Sequence, residues 1–108
     1  MKPFFFIRSD GQYKKLDADS IIYIESKRNR CSIRTNDGIL YLSMSLKKIE
    51  SLLPQTLFCR VHKSFIISIE KLKFFEENYI YVDGYKLPFG QRYKSALFGS
   101  RAVFDCVE

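Results

Sequence analysis

The stretch from Cys31 to Ser43 constrains the fold more than any other part of the chain. Cys31, Ile33 and Thr35 alternate with Ser32 and Arg34, the two-residue period of a half-buried strand. Asn36-Asp37-Gly38 then breaks the run, and Ile39–Ser43 follows. Turn chemistry of that kind between two apolar runs predicts a β-hairpin.

The same grammar recurs along the sequence. Phe4–Arg8 and Tyr13–Leu16 flank Asp10-Gly11, and Ser20–Glu25 carries consecutive Ile21, Ile22, Tyr23 and Ile24, as a buried strand does. Phe58–Val61 reads as extended, with Phe65, Ile66, Ile67 and Ile69 an apolar anchor just after it. Lys73–Glu76 and Tyr79–Val82 read as short strands around Glu77-Asn78, and Asp83-Gly84 turns the chain into Tyr85–Pro88. The period changes once clearly. Leu46, Ile49, Leu52 and Leu53 fall on one helical stripe with Lys47, Lys48 and Glu50 opposite. Ser45 can cap that helix and Pro54 ends it. Gln91–Phe98 reads as a last helix, Tyr93 and Leu97 facing inward and Gly99 stopping it. About eight strands and one or two short helices make the class mainly β. Ten Phe and seven Tyr without any Trp fit that class, and most of these aromatics stand at alternating strand positions suited to core packing.

A length of 108 residues suits a single domain spanning residues 1–108, and no repeat, low-complexity stretch or linker divides it. Cys31, Cys59 and Cys106 are odd in number and form no C-x-x-C pair. That argues against a disulfide framework or a metal site and for a reducing, cytoplasmic setting. No apolar run reaches about 18 residues, and Arg8 and Asp10 interrupt the apolar start, so neither a membrane span nor a secretory leader is expected.

The net charge of +6 suggests a polyanionic partner, although it also serves solubility. The cations concentrate in three segments. Lys27-Arg28-Asn29-Arg30 sits between two strands, and no acid lies between Glu25 and Asp37. Its charges repel one another, which a polyanion would relieve; it also reads as a solvated hairpin tip. Arg60-Val61-His62-Lys63-Ser64 gathers a guanidinium, the chain's one imidazole, an ammonium and a hydroxyl at a strand-to-turn transition. Such groups meet phosphates or base edges, while the His could equally pack or cap locally. Phe89-Gly90-Gln91-Arg92-Tyr93-Lys94 lies in an acid-free stretch from Gly84 to Phe104. A helix starting near Gln91 would offer its N-terminus to a phosphate; an ordinary helix with a basic outer face is the other reading.

Catalytic patterns are absent: no P-loop, G-x-G-x-x-G, H-E-x-x-H or Ser/His/Asp arrangement appears, and one His cannot build a His-rich metal site. No enzyme, cofactor or metal is expected. Asp17/Asp19 and Glu76/Glu77 read as solvated carboxylates beside turns.

The block Phe58-Cys59-Arg60-Val61-His62-Lys63-Ser64-Phe65-Ile66-Ile67 resembles the signature of LytTR domains, the LytR/AlgR-type DNA-binding output domains of bacterial response regulators. Ile21–Glu25 resembles the family's early strand ending in Glu. Leu40–Ser43 followed by Leu46–Leu53 resembles its strand and helix before the signature, and Leu87–Tyr93 its closing Pro-apolar-Ser-x-x-Tyr stretch. The resemblance covers about residues 4–98. It implies an elongated fold of about eight to ten short strands in small sheets, with loops rather than a recognition helix entering successive major grooves. By position, Lys27, Arg28, Asn29 and Arg30 would supply one contact. Arg60, His62, Lys63 and Ser64 would supply the central ones, and Gln91, Arg92 and Lys94 the last. Gly90 stands where Ser is usual, removing one phosphate contact, and Lys63 where Arg or Asn is common. The resemblance also implies double-stranded DNA with paired direct repeats, a homodimer on DNA, and transcription regulation in a two-component system. No receiver domain is present in the 108 residues, so a receiver domain or sensor kinase outside this chain is the implied partner. The alternative is a small basic RNA-binding β protein, which predicts exposed aromatics beside the cations. A protein-interaction module predicts an exposed apolar patch instead.

Overall fold

The computed structural model describes residues 2–107. It is mainly β, with ten strands, all paired antiparallel, and two short helices. β1 (Phe4–Ser9) and β2 (Gln12–Asp17) form a hairpin. β3 (Ile21–Lys27), β4 (Arg30–Thr35), β5 (Gly38–Leu42), β6 (Phe58–His62) and β7 (Phe65–Ser68) build a sheet of order β5-β4-β3-β7-β6. β8 (Leu72–Phe75), β9 (Tyr79–Val82) and β10 (Tyr85–Pro88) form a third sheet of order β10-β9-β8. Helix α1 is Leu46–Leu52 and helix α2 is Lys94–Phe98. The apolar anchor after Phe58–Val61 is itself a strand, β7, which raises the count above eight.

The turns follow from local chemistry. Asp10-Gly11 and Asp83-Gly84 each connect two strands with positive φ at both residues, the mirror-image turn whose twist matches the strands. Thr35 Oγ1 supports the Asn36-Asp37 turn, accepting from the Asp37 N–H at 3.2 Å and donating to the Gly38 carbonyl at 3.0 Å. Ser45 caps α1 by accepting from the Lys48 N–H at 3.1 Å.

The five-stranded sheet is covered on both faces. One cluster packs Ile21, Ile24, Ile33 and Ile66 against Leu46 and Ile49 of α1, with Phe5 and Leu16 of the first hairpin closing over it. The other packs Ile22, Val61 and Ile67 against Ile80, Val82 and Leu87 of the third sheet and Leu97 of α2. Burial on two faces explains why Ile21–Ile24 reads as an unbroken apolar run, with a register shift between Ile21 and Tyr23 dividing it between them.

Three expectations need correction. Leu52 was placed on the buried stripe but is 58% exposed; it lies roughly 60° beyond Ile49 around a 3.6-residue helix, past the sheet's reach. Gln91–Phe98 is not one α-helix: Gln91–Tyr93 is a 3-10 turn and α2 begins at Lys94. Asp17 and Asp19 are solvated as expected, and at the surface they also meet Lys15 at 3.5 Å and Lys2 at 3.0 Å. Many aromatics are not core. Phe6, Tyr13, Tyr41 and Phe74 are exposed, because the outer faces of the small sheets carry the alternate residues of the same strands.

Candidate nucleic-acid interface

The β3–β4 hairpin carries the first basic segment. Lys27 pairs with Arg30, leaving Arg28 and Asn29 as a two-residue loop. Arg28 holds φ +59°, a conformation that costs an L residue roughly 1 kcal/mol but suits the twist of a tight hairpin. Lys27, Arg28, Asn29 and Arg30 are all exposed, and none of their cations makes an ion pair among the described residues. With Cys31, Ser32 and the exposed Tyr41 of β5 they line a concave surface of about 640 Å³.

The second segment forms the β6–β7 hairpin. His62 stands opposite Phe65, so Lys63 and Ser64 are its two-residue loop. Neither takes the positive φ favoured in such loops; among the described non-glycine residues only Asp10, Arg28 and Asp83 do. Side chains support the loop instead. His62 Nδ1 accepts from the Ser64 N–H at 3.1 Å, and its ring lies 5.8 Å from that of Phe65. The Arg60 guanidinium donates to the carbonyls of His62, at 3.2 Å, and Lys63, and to Glu50 of α1 at 3.0 Å. Burial first, then the charges of Lys63 and Arg60, hold the His62 imidazole below its ordinary 6.5. It is therefore neutral at pH 7, with Nε2 carrying the ring proton and Nδ1 left to accept. Lys63 alone of this group is exposed.

The third segment leaves β10 through Phe89, which is buried in the second cluster. The Gly90 N–H donates to the Val61 carbonyl at 2.8 Å, and the Tyr93 N–H closes the 3-10 turn on the Gly90 carbonyl at 3.0 Å. A Cβ on Gly90 would stand 3.0 Å from Tyr93 Cδ2, so glycine at this position goes with a close approach of the Tyr93 ring. Gln91 and Arg92 are exposed, while Lys94 is half-buried with its ammonium 5.6 Å from the Phe89 ring centre. The five-residue α2 starts after this turn, so no α-helix N-terminus opens at Gln91.

Backbone hydrogen bonds tie the three segments together. The Ser26 N–H donates to the Ser64 carbonyl at 2.8 Å, joining the first hairpin to the second loop. The Gly90–Val61 bond joins the third segment to the strand behind that loop. Lys27, Arg28, Arg30, Lys63 and Arg92 are exposed on the three segments joined in this way. Arg60 differs from them, with donors engaged by Glu50 and by the carbonyls of His62 and Lys63. Glu50 and Tyr41 were not singled out from sequence as site residues, because only the fold brings them beside the basic segments. Among the described residues no three His, Cys, Asp or Glu side chains are grouped to hold a metal ion. No helix there is long and apolar enough to cross a membrane.

This architecture has known counterparts. The fold matches the LytTr DNA-binding domain of a Bacillus cereus protein described as a methyl-accepting/DNA response regulator, with a TM-score of 0.72 and 21% identity over 91% of this chain and 95% of that one. The sensory transduction protein LytT of Bacillus subtilis (strain 168) is 33% identical over 88 residues, 76% of this chain and 36% of LytT. The chain thus spans about a third of the length of that curated relative. The family model of LytTr DNA-binding domains matches residues 11–100, which takes in all three basic segments. On that match the chain belongs to the LytTR DNA-binding domain family.

Proposed function

We propose that this LytTR domain binds double-stranded DNA sequence-specifically and regulates transcription as the output module of a two-component response regulator. The observation that carries the reading is the joining of three basic segments by the Ser26–Ser64 and Gly90–Val61 hydrogen bonds. Binding has two parts. Lys27, Arg28 and Arg30 meet phosphates and release counterions, which gives salt-dependent affinity without sequence preference. His62, Lys63, Gln91 and Arg92 approach base edges, Arg92 toward guanine, where a bidentate contact contributes roughly 1–3 kcal/mol of discrimination. The neutral His62 offers Nε2–H as a donor. The body measures 55 × 34 × 24 Å. Its long axis exceeds the roughly 34–36 Å of one DNA turn, so a domain lying along a duplex can reach successive major grooves. Paired direct repeats, a homodimer on DNA, and control by a receiver domain or sensor kinase outside these residues complete the reading, with action in the cytoplasm.

Tyr41 favours one alternative. Its exposed ring beside Lys27–Arg30 offers a base a stacking surface, as in single-strand RNA-binding modules. A fluorescence-anisotropy titration decides between them, using a randomised duplex and its single strand at two salt concentrations. Salt-sensitive duplex binding weakened by a His62→Ala/Arg92→Ala double substitution is the expected result. Tighter binding to the single strand favours the RNA alternative, and binding to neither makes the charge incidental.

A further inference from the structure

Arg60 stands in the most basic stretch of the LytTR signature and reads from sequence as a DNA contact. Its geometry says otherwise. Its side chain is only 20% exposed, and its donors reach the His62 carbonyl, the Lys63 carbonyl and Glu50. The guanidinium carbon also lies 6.0 Å from the Tyr93 ring centre. Few donor positions remain for a phosphate. The loop it grips lacks the conformation that holds most two-residue hairpins. Lys63 and Ser64 have no positive φ, so the twist mismatch of an ordinary turn must be offset by other bonds. A register shift between Arg60 and His62 makes Val61 an extra residue in β6, and such bulges re-aim the residues beyond them. Arg60 therefore sits where one planar fork can fix two successive carbonyls, something a lysine's single ammonium cannot match.

We infer that Arg60 is a positioning residue: it touches no DNA but holds the Lys63-Ser64 loop in the one geometry that lets His62 and Lys63 read bases. Through the Tyr93 ring it also sets the Gln91-Arg92 turn against the same loop. The inference rests on the DNA-binding reading for its functional half. Its structural half, that Arg60 holds the loop, is testable without DNA.

The test uses wild type, Arg60→Gln, Arg60→Lys and Glu50→Gln. In the free protein, NMR would follow amide hydrogen exchange at Lys63, Ser64 and Arg92, with thermal unfolding as the check on global folding. With DNA, anisotropy would compare a duplex selected from a random pool by wild type with a scrambled duplex, across a salt series. Arg60→Gln should speed exchange at those amides while strands β3 and β7 stay protected. It should lower the selected-to-scrambled affinity ratio by at least roughly fivefold and leave the salt slope on scrambled DNA unchanged. Arg60→Lys should keep the charge yet fail to restore the ratio, and Glu50→Gln should change little, since the Glu50 carboxylate is half-exposed. A salt slope reduced by about 0.9 with equal loss on both duplexes would make Arg60 a phosphate contact and overturn the inference. So would full rescue by lysine, or loop amides that exchange as in wild type. Should wild type prefer no duplex, the DNA-binding reading fails and with it the reading role, while the exchange data still decide whether Arg60 holds the loop.

Discussion

Arg28 combines a charge that meets no ion-pair partner among the described residues with a strained backbone, and two substitutions separate these properties. Three exposed cations of the first hairpin, Lys27, Arg28 and Arg30, are assigned to phosphates. If each neutralises one phosphate, the slope of log affinity against log salt on B-form DNA is about −2.7. A fourfold rise in salt then weakens binding about 40-fold. Removing one contact lowers the slope to about −1.8, and the same salt step costs only about 12-fold. Arg28→Gln and Arg28→Gly should both show the smaller slope in anisotropy titrations on a scrambled duplex. They should differ in stability. Arg28 holds φ +59°, which glycine adopts without penalty and glutamine does not. The glycine variant should therefore unfold at or above the temperature of the glutamine variant, by a gap of about 4 °C per kcal/mol of strain relieved. A wild-type slope in both variants would remove Arg28 from the interface. A reduced slope for glutamine that glycine restores would mean that loop conformation, not charge, controls binding.

Arg92→Ala should lose preference for the selected duplex more than affinity for a scrambled one; equal loss on both, in the same titration, would make Arg92 a phosphate contact. Ile67 is 0% exposed between the five-stranded and three-stranded sheets, so Ile67→Ala should cost about 2–5 kcal/mol in urea denaturation and Ile67→Val about 0.5–1.5 kcal/mol. His62 supplies a pH dependence. Its value in the folded protein lies below 6.5, so the native state favours the neutral ring. That contribution to stability is present above the unfolded value and lost as pH falls through the folded one. Urea midpoints for wild type and His62→Gln should accordingly converge on acidification from neutral pH, and a gap that widens would contradict a ring held neutral by burial and by the charges of Lys63 and Arg60.

The β-rich class and most element positions were legible because their causes are local. Asp10-Gly11 and Asp83-Gly84 carry their turns in two residues, and Ser45 and Pro54 bracket α1 within reach of their own backbone. Leu52 and the exposed aromatics were misread because periodicity shows that a face exists, not whether anything covers it. The three basic segments were visible as charge, and their placement on adjoining strands is a product of topology. Arg60 shows the limit most clearly. A basic run gives no sign that its guanidinium reaches Glu50 and two nearby carbonyls. The break between the 3-10 turn and α2 was hidden for a similar reason, since it follows from how Gly90 docks on Val61.

Strand β3 has apolar side chains toward both layers, Ile21 and Ile24 on one side and Ile22 and Tyr23 on the other. A strand with one wet face has its pairing policed by solvent, because a slip of one residue would expose its greasy side. β3 has another safeguard at its ends. Sliding it by one position would put either Glu25 or Tyr23 into the enclosed place of Ile24, which is 1% exposed, and an unpaired carboxylate there is costly to bury. The same slip would carry Lys27–Arg30 roughly 3.3 Å along their neighbours and turn each side chain over. The irregularity at Ile21–Tyr23, the Asn36-Asp37 turn and the Ser26–Ser64 bond fix the same alignment, so the residues that keep this strand in register also set where the basic hairpin stands.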